Sequence, residues 1–292
     1  FRATLNNVSI IKELELGIGD AITVIKANQI IPQVTGNLTR SGTYCIPKEC
    51  PCCGSRLAIR ADAGREVLYC PNKKCFDKIH DGIVHFTSRN GMNIAGLSDE
   101  RLRLLIENGF IKDCVDIYHL SDYRSEIEKL PKMGKNSVEK LLSAIETSRH
   151  SKLANVIYAL GIPNVGKSAA KIIADYCFKH RVDNTTPFGT FINLGNYGGA
   201  DWAEIEGFGS VIHDSINRYV YENMPFLYAL DECLDIEDEA MNGSDNALDS
   251  KSFCITGKLS VFANRDALVK DIESHGGKIV SGVTAKTDFL IT

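Results

Sequence analysis

Apolar and polar residues alternate over positions 3–7 and 16–24, a period of two that predicts half-buried strands broken at the Gly19-Asp20 turn. Two further strand-like runs, 56–60 and 67–69, predict a short hairpin. From about residue 81 the apolar spacing changes to three and four, proline becomes rare, and helices are predicted as far as residue 222. Within that stretch one pattern recurs: an apolar residue, a second three places on, a small residue directly after it, then more apolar positions. The copies are Leu130-Pro131-Lys132-Met133-Gly134, running on to Val138 and Leu141, and Ile162-Pro163-Asn164-Val165-Gly166, running on to Ala170 and Ile173. A third is Ile205-Glu206-Gly207-Phe208-Gly209, continuing to His213 and Ile216, and the weakest is Ile94-Ala95-Gly96-Leu97-Ser98, continuing to Leu102 and Leu105.

Each copy reads as a helix, a tight turn and a second helix, with the apolar residue before the small one plugging the gap. Glycine there permits a positive φ and lets the backbone come close to a ligand. The residues after it open a helix, whose free N–H groups and positive dipole end make an anion site. One such turn would suit ordinary helix packing. Repetition shifts the reading toward a row of sites for a phosphate backbone, contacted without regard to base sequence. The candidate contacts are Lys132, Gly134, Lys135, Asn136, Gly166, Lys167, Ser168, Gly207, Gly209 and Ser210. The first copy carries Ser98 in place of glycine and then Asp99 and Glu100, which suits a structural role.

Charge supports this only locally. The net charge is −4, yet residues 223–250 hold eight acids and no Lys or Arg, so the remainder is +4. That acidic segment reads as a hydrated linker and a domain boundary. With 292 residues and 44% hydrophobic residues the chain is globular and long enough for two or more domains. The longest nearly apolar run, 153–162, is too short for a membrane span, and no secretory signal opens the chain, which points to a cytoplasmic protein. The chain opens at Phe1 without methionine and closes just after the strand-like run 288–291, so both ends read as cut from something longer.

Six of the ten cysteines fall between positions 45 and 75. Cys50 and Cys53 form a C-x-x-C turn, and Cys70 and Cys75 form a second pair across the predicted hairpin. Two paired-thiolate turns held by a hairpin make a closed tetrahedral zinc site with no open position for catalysis. A disulfide framework and a redox C-x-x-C are the rivals; scattered single cysteines and the absence of secretory features speak against the first, and the second pair against the other. Cys45 and Cys52 are the ambiguous neighbours.

In this order the parts resemble the C-terminal half of bacterial NAD-dependent DNA ligase. The likeness is sharpest over residues 85–97 (His85-Phe86-Thr87-Ser88-Arg89-Asn90-Gly91 through Leu97), similar to that family's junction between zinc finger and helix-hairpin-helix domain. Met133-Gly134-Lys135-Asn136-Ser137 and Tyr158-Ala159-Leu160-Gly161-Ile162 resemble its second and third hairpins. The resemblance implies a multidomain chain. Residues 1–44 would be the end of an OB barrel, 45–80 a four-cysteine zinc finger, and 81–222 an all-α tandem helix-hairpin-helix domain. Residues 223–250 would be the acidic linker, and 251–292 the start of an α/β BRCT domain with strands near 253–259, 276–280 and 286–291 and a helix over 265–275. The sequence departs from the family at Asn6, Asn28, Asn93 and Ala95, and at His213, where a small residue is usual and a looser fourth hairpin is expected.

The family's K-x-D-G nucleotidyltransfer motif does not occur in these residues, and Gly195-Asn196-Tyr197-Gly198-Gly199 lacks the spacing of a nucleotide fingerprint. The seven histidines are isolated, and no catalytic set assembles. The implied function is therefore the DNA-gripping half of a nick-sealing ligase. It would be a monomer on nicked double-stranded DNA, with structural zinc here and NAD and Mg²⁺ belonging to the full enzyme. The alternative is a non-enzymatic zinc, helix-hairpin-helix and BRCT scaffold; a redox protein using the surplus cysteines is a more distant one.

Overall fold

A computed structural model describes residues 2–27, 30–62, 64–181, 184–196, 198–236, 248, 251–257, 265–275, 277–280, 282–283 and 287–291. The chain starts with α1 (Val8–Glu13), β1 (Ile22–Ala27) and β2 (Ile31–Asn37), the two strands pairing antiparallel. The strand expected over 3–7 does not form. Asn7 accepts a hydrogen bond from the Ile10 N–H at 3.1 Å, and this cap turns the chain into α1 instead. Residues 17–20 form a tight turn in which Asp20 accepts the Gly17 N–H at 2.8 Å and the Asn37 amide at 2.7 Å. Departure Asn28 lies outside the described residues.

The hairpin β3 (Ala58–Asp62) and β4 (Arg65–Tyr69) falls close to where the sequence places it. Helix α1 docks on it: Ser9 Oγ accepts the Glu66 N–H at 2.8 Å, and Lys12 pairs with the Glu66 carboxylate.

The helical body follows as α2 (Phe76–Thr87), α3 (Asp99–Glu107), α4 (Cys114–Ile117), α5 (Arg124–Ile127), α6 (Lys135–Arg149), β5 (His150–Ser151), α7 (Leu153–Ala159), α8 (Lys167–Lys179), α9 (Pro187–Gly195), α10 (Ser210–Cys233) and β6 (Asp235–Ile236). The three- and four-residue spacing puts Leu102 and Leu105, Val138 and Leu141, Ala170 and Ile173, and Ile216 and Val220 into one continuous core. Trp202 is completely buried there, with its ring centroid 5.4 Å from that of Tyr176 and 6.3 Å from that of Phe191. Helix α10 kinks at Asn223, two residues before Pro225, which has no N–H to donate to the preceding turn.

The first part of the segment expected to be an acidic linker, 223–250, is ordered secondary structure. Residues 223–236 belong to α10 and β6, and β6 pairs in parallel with β5. Leu227, Leu230 and Ile236 keep the apolar spacing inside the acidic run and are buried, while Asp231 accepts the Thr186 hydroxyl at 2.7 Å. Burial raises the Asp231 pKa. The rest of the expected linker, 237–247 and 249–250, lies outside the described residues.

Last come β7 (Ser252–Ile255), α11 (Arg265–Ser274), β8 (Lys278–Val280) and β9 (Phe289–Ile291), forming a parallel sheet in the order β8-β7-β9. Phe253, Ile255, Leu268 and Ile272 form its own small core. Of the strand runs expected here, positions 258–259, 276 and 286 lie outside the described residues. Among the described residues no helix is long and apolar enough to cross a membrane.

Candidate metal centre and nucleic-acid interface

The two cysteine turns face each other across the β3–β4 hairpin. Gly54 adopts φ +68° and donates to the Cys50 carbonyl at 2.9 Å, so the first turn curls back and brings Cys50 and Cys53 to one side. In the second turn the Cys75 N–H bonds the Asn72 carbonyl at 3.2 Å, and Cys75 then becomes the N-cap of α2. The Sγ atoms of Cys50, Cys53, Cys70 and Cys75 all lie within 4.8 Å of one another, whereas Cys45 and Cys52 are exposed and outside this group. The sulfurs of Cys50 and Cys75 are 3.9 Å apart and those of Cys53 and Cys70 3.6 Å. A disulfide needs about 2.05 Å, so these pairs are not bonded to each other. At a zinc–sulfur distance of about 2.3 Å, a tetrahedron has sulfur–sulfur edges of about 3.8 Å, which is the spacing of these pairs. Hydrogen bonds from Ser55 pull the Cys53 thiol down to about 6, while burial pushes Cys75 up to about 12. The donor set fits a metal that favours thiolates, zinc above all.

The four turns share one geometry. Helices α3, α6, α8 and α10 start after Ser98, Gly134, Gly166 and Gly209, each in an extended N-cap conformation. The plugging residues Met133 and Val165 are buried, and Leu97 and Phe208 are partly buried against the core. The positive φ is not at the glycine of the repeat. Gly134, Gly166 and Gly209 have φ −70°, −86° and −127°. The left-handed residue sits two places earlier, at Gly96, Lys132, Asn164 and Gly207, with φ of 95°, 62°, 65° and 85°. Nor does packing demand a glycine, because a Cβ at 134, 166 or 209 would meet nothing within 4 Å. Glycine at these caps leaves room for something outside the protein.

The first turn differs. The Ser98 hydroxyl faces the Arg101 N–H at 3.5 Å, and Asp99 and Glu100 stand in the first turn of α3. By contrast α6, α8 and α10 carry no side-chain cap and no acid in their first turn, so three helix starts are open to an anion. Lys135, Asn136, Lys167, Ser168 and Ser210 are exposed at these starts.

No family model matches the chain. It is similar to the DNA ligase of Ruminiclostridium cellulolyticum, at 39% identity over 295 residues, and to that of Lachnoclostridium phytofermentans, at 40% over 291. Each match covers 99% of this chain and 43% of the relative. By sequence the chain belongs to the DNA ligase family. The DNA ligase of Bacillus licheniformis is 33% identical over 304 residues, again across 99% of the chain. The chain thus spans less than half the length of the DNA ligases it matches.

Two residues in this sequence do something the repeat pattern does not foretell. Lys132 is paired with Glu100, Nζ to Oε1 at 2.6 Å, so one candidate phosphate contact is already held by a carboxylate from the first turn. The partners are 32 positions apart and no local signal joins them. His213, where a looser fourth turn is expected, is hydrogen-bonded on one side of its ring. Trp202 Nε1 donates to Asn217 Oδ1 at 3.1 Å, which directs the Asn217 amide N–H at His213 Nε2, 2.9 Å away. Nε2 therefore accepts, the ring proton lies on Nδ1, and that atom faces Asp201 Oδ1 at 3.2 Å. That approach is not a hydrogen bond; what joins the Trp202 turn to α10 is the Asn217 amide, held between Trp202 and His213.

Proposed function

We propose that the chain is the DNA-gripping C-terminal portion of an NAD-dependent DNA ligase. In this reading residues 1–44 end an OB-fold barrel, 45–80 are a zinc finger, 81–236 are the tandem helix-hairpin-helix domain and 251–292 begin a BRCT domain. The parent enzyme adenylates a lysine from NAD, passes AMP to the 5′ phosphate at a nick and seals it with Mg²⁺, all through residues other than these. This portion holds nicked duplex DNA by its phosphates, as a monomer in the bacterial cytosol, and carries no catalytic residue of its own. Cys50, Cys53, Cys70 and Cys75 would hold a structural zinc that supports the β3–β4 module.

The observation that carries the reading is the set of three glycine-capped helix starts, uncapped by side chains and free of acids. Backbone N–H groups at such positions bind phosphate oxygens directly, and a side chain at the cap would stand in the way. Identity to DNA ligases along 99% of the chain favours this over a scaffold protein. The test is duplex binding by Lys135→Ala/Lys167→Ala. The variant should bind more weakly, with no change in preference among sequences and a shallower salt dependence. Unaltered binding would refute the assignment of the second and third turns.

A further inference from the structure

The third turn is held from two sides by side chains that the repeat does not contain. Helix α7 ends at Ala159 with Leu160 as its C-cap, and carbonyls at a helix end have acceptor capacity to spare. Two of them are taken by distant residues. Tyr219 of α10 donates its hydroxyl to the Leu160 carbonyl at 3.1 Å. His85 of α2 places Nε2 2.8 Å from the Tyr158 carbonyl, with its ring 4.8 Å from the Tyr158 ring. Gly161, at φ +64°, lies beside that imidazole: a Cβ there would sit 3.4 Å from His85 Cδ2, in ordinary contact. A third link joins the two open helix starts themselves. The Asn164 amide donates to Ser215 Oγ at 3.1 Å, and that hydroxyl donates to the Val211 carbonyl at 2.8 Å. Asn164 stands three residues before α8, and Ser215 is the sixth residue of α10.

Asn164 is exposed and Ser215 half-buried, and their hydrogen bond lies at the surface, so core packing does not account for it. Its geometric effect is specific, since it fixes the start of α8 against the start of α10. Two anion sites on one rigid frame engage a backbone together, because the second contact follows the first without a new search. We infer that Tyr219 and the Asn164–Ser215 pair are positioning residues, setting the register in which the helix starts after Gly166 and Gly209 meet the phosphates of duplex DNA. His85 holds the same turn from the zinc-module side through α2, which begins at the ligand-set residue Cys75. This rests on the DNA-gripping reading above.

The test uses the full chain and a fluorescent nicked duplex titrated at several salt concentrations. Asn164→Gly keeps the left-handed backbone and removes the amide; Tyr219→Phe removes only the hydroxyl. Together they should weaken binding about fivefold at 0.15 M salt and lower the magnitude of the salt slope by about 0.9, the share of one phosphate. The unfolding temperature should stay close to that of the parent chain. Ser215→Ala alone, at a half-buried helix position where alanine is a good helix former, should shift binding the same way, and Ser215→Thr, which keeps a hydroxyl, should restore it. Parent-like affinity and slope in these variants, while Lys167→Ala still weakens binding, would overturn the positioning role alone. Parent-like binding by Lys167→Ala as well would bring down the DNA reading beneath it.

Discussion

Replacing Gly166 with aspartate should make the chain more stable and a poorer DNA binder at once. The cap residue is extended, φ −86° and ψ −178°, a conformation aspartate adopts readily. A Cβ meets nothing within 4 Å, so no packing is lost. The new carboxylate would accept N–H groups of the first turn of α8 that now have no side-chain partner. An aspartate cap exceeds glycine by a few tenths of a kcal/mol, and its charge at the positive helix end adds about 0.3–1 kcal/mol. For a body of this size the sum raises Tm by roughly 1–5 °C. The same carboxylate occupies the anion site and repels phosphate. One lost phosphate contact lowers affinity about fivefold at 0.15 M salt, since each contributes a salt slope near 0.9. Fluorescence of Trp202, the single tryptophan and fully buried, reports the melting; anisotropy of a labelled duplex reports binding. A raised Tm with undiminished affinity would refute the claim that this helix start holds phosphate. A lowered Tm would refute the claim that nothing inside the protein needs glycine there.

Two further outcomes follow from the same structure. Glu100→Gln releases Lys132 from its 2.6 Å partner, and duplex affinity should rise by up to about fivefold with a salt slope steeper by about 0.9; unchanged binding across salt would mean that Lys132 does not reach phosphate. Removing metal with a chelator should strip amide hydrogen-exchange protection from β3 and β4, while Trp202 fluorescence, reporting the separate helical core, holds steady. Protection retained in metal-free protein would show that the four thiols fold the module unaided.

The zinc-type cluster and the helix starts were legible because each rests on short-range spacing: paired cysteines in two turns, and a glycine recurring before a helical run. The left-handed residue of the turns was not, since Gly96, Lys132, Asn164 and Gly207 occupy it and share no composition. Backbone geometry is repeated there while residue type is not. Residues 223–236 read as linker because the eight acids of 223–250, only three of them before 237, outweigh the apolar spacing of Leu227 and Leu230, although a helix can bury one face and leave its charges in water. The five residues 3–7 were too few for alternation to exceed a capping asparagine. Contacts such as Lys132 with Glu100, Asn164 with Ser215, and Tyr219 with Leu160 join elements far apart in the chain and exist only after the helices have packed.

The most direct test of the account is the salt dependence of nicked-duplex binding by the unaltered chain, measured by anisotropy between 50 and 200 mM salt. Three open helix starts predict at least three phosphates engaged, a plot of log K against log salt with slope near −2.7 or steeper, and little difference between duplexes of unrelated sequence. Binding that is flat in salt, or no binding at the low-salt end, would contradict the assignment of these turns as a phosphate grip.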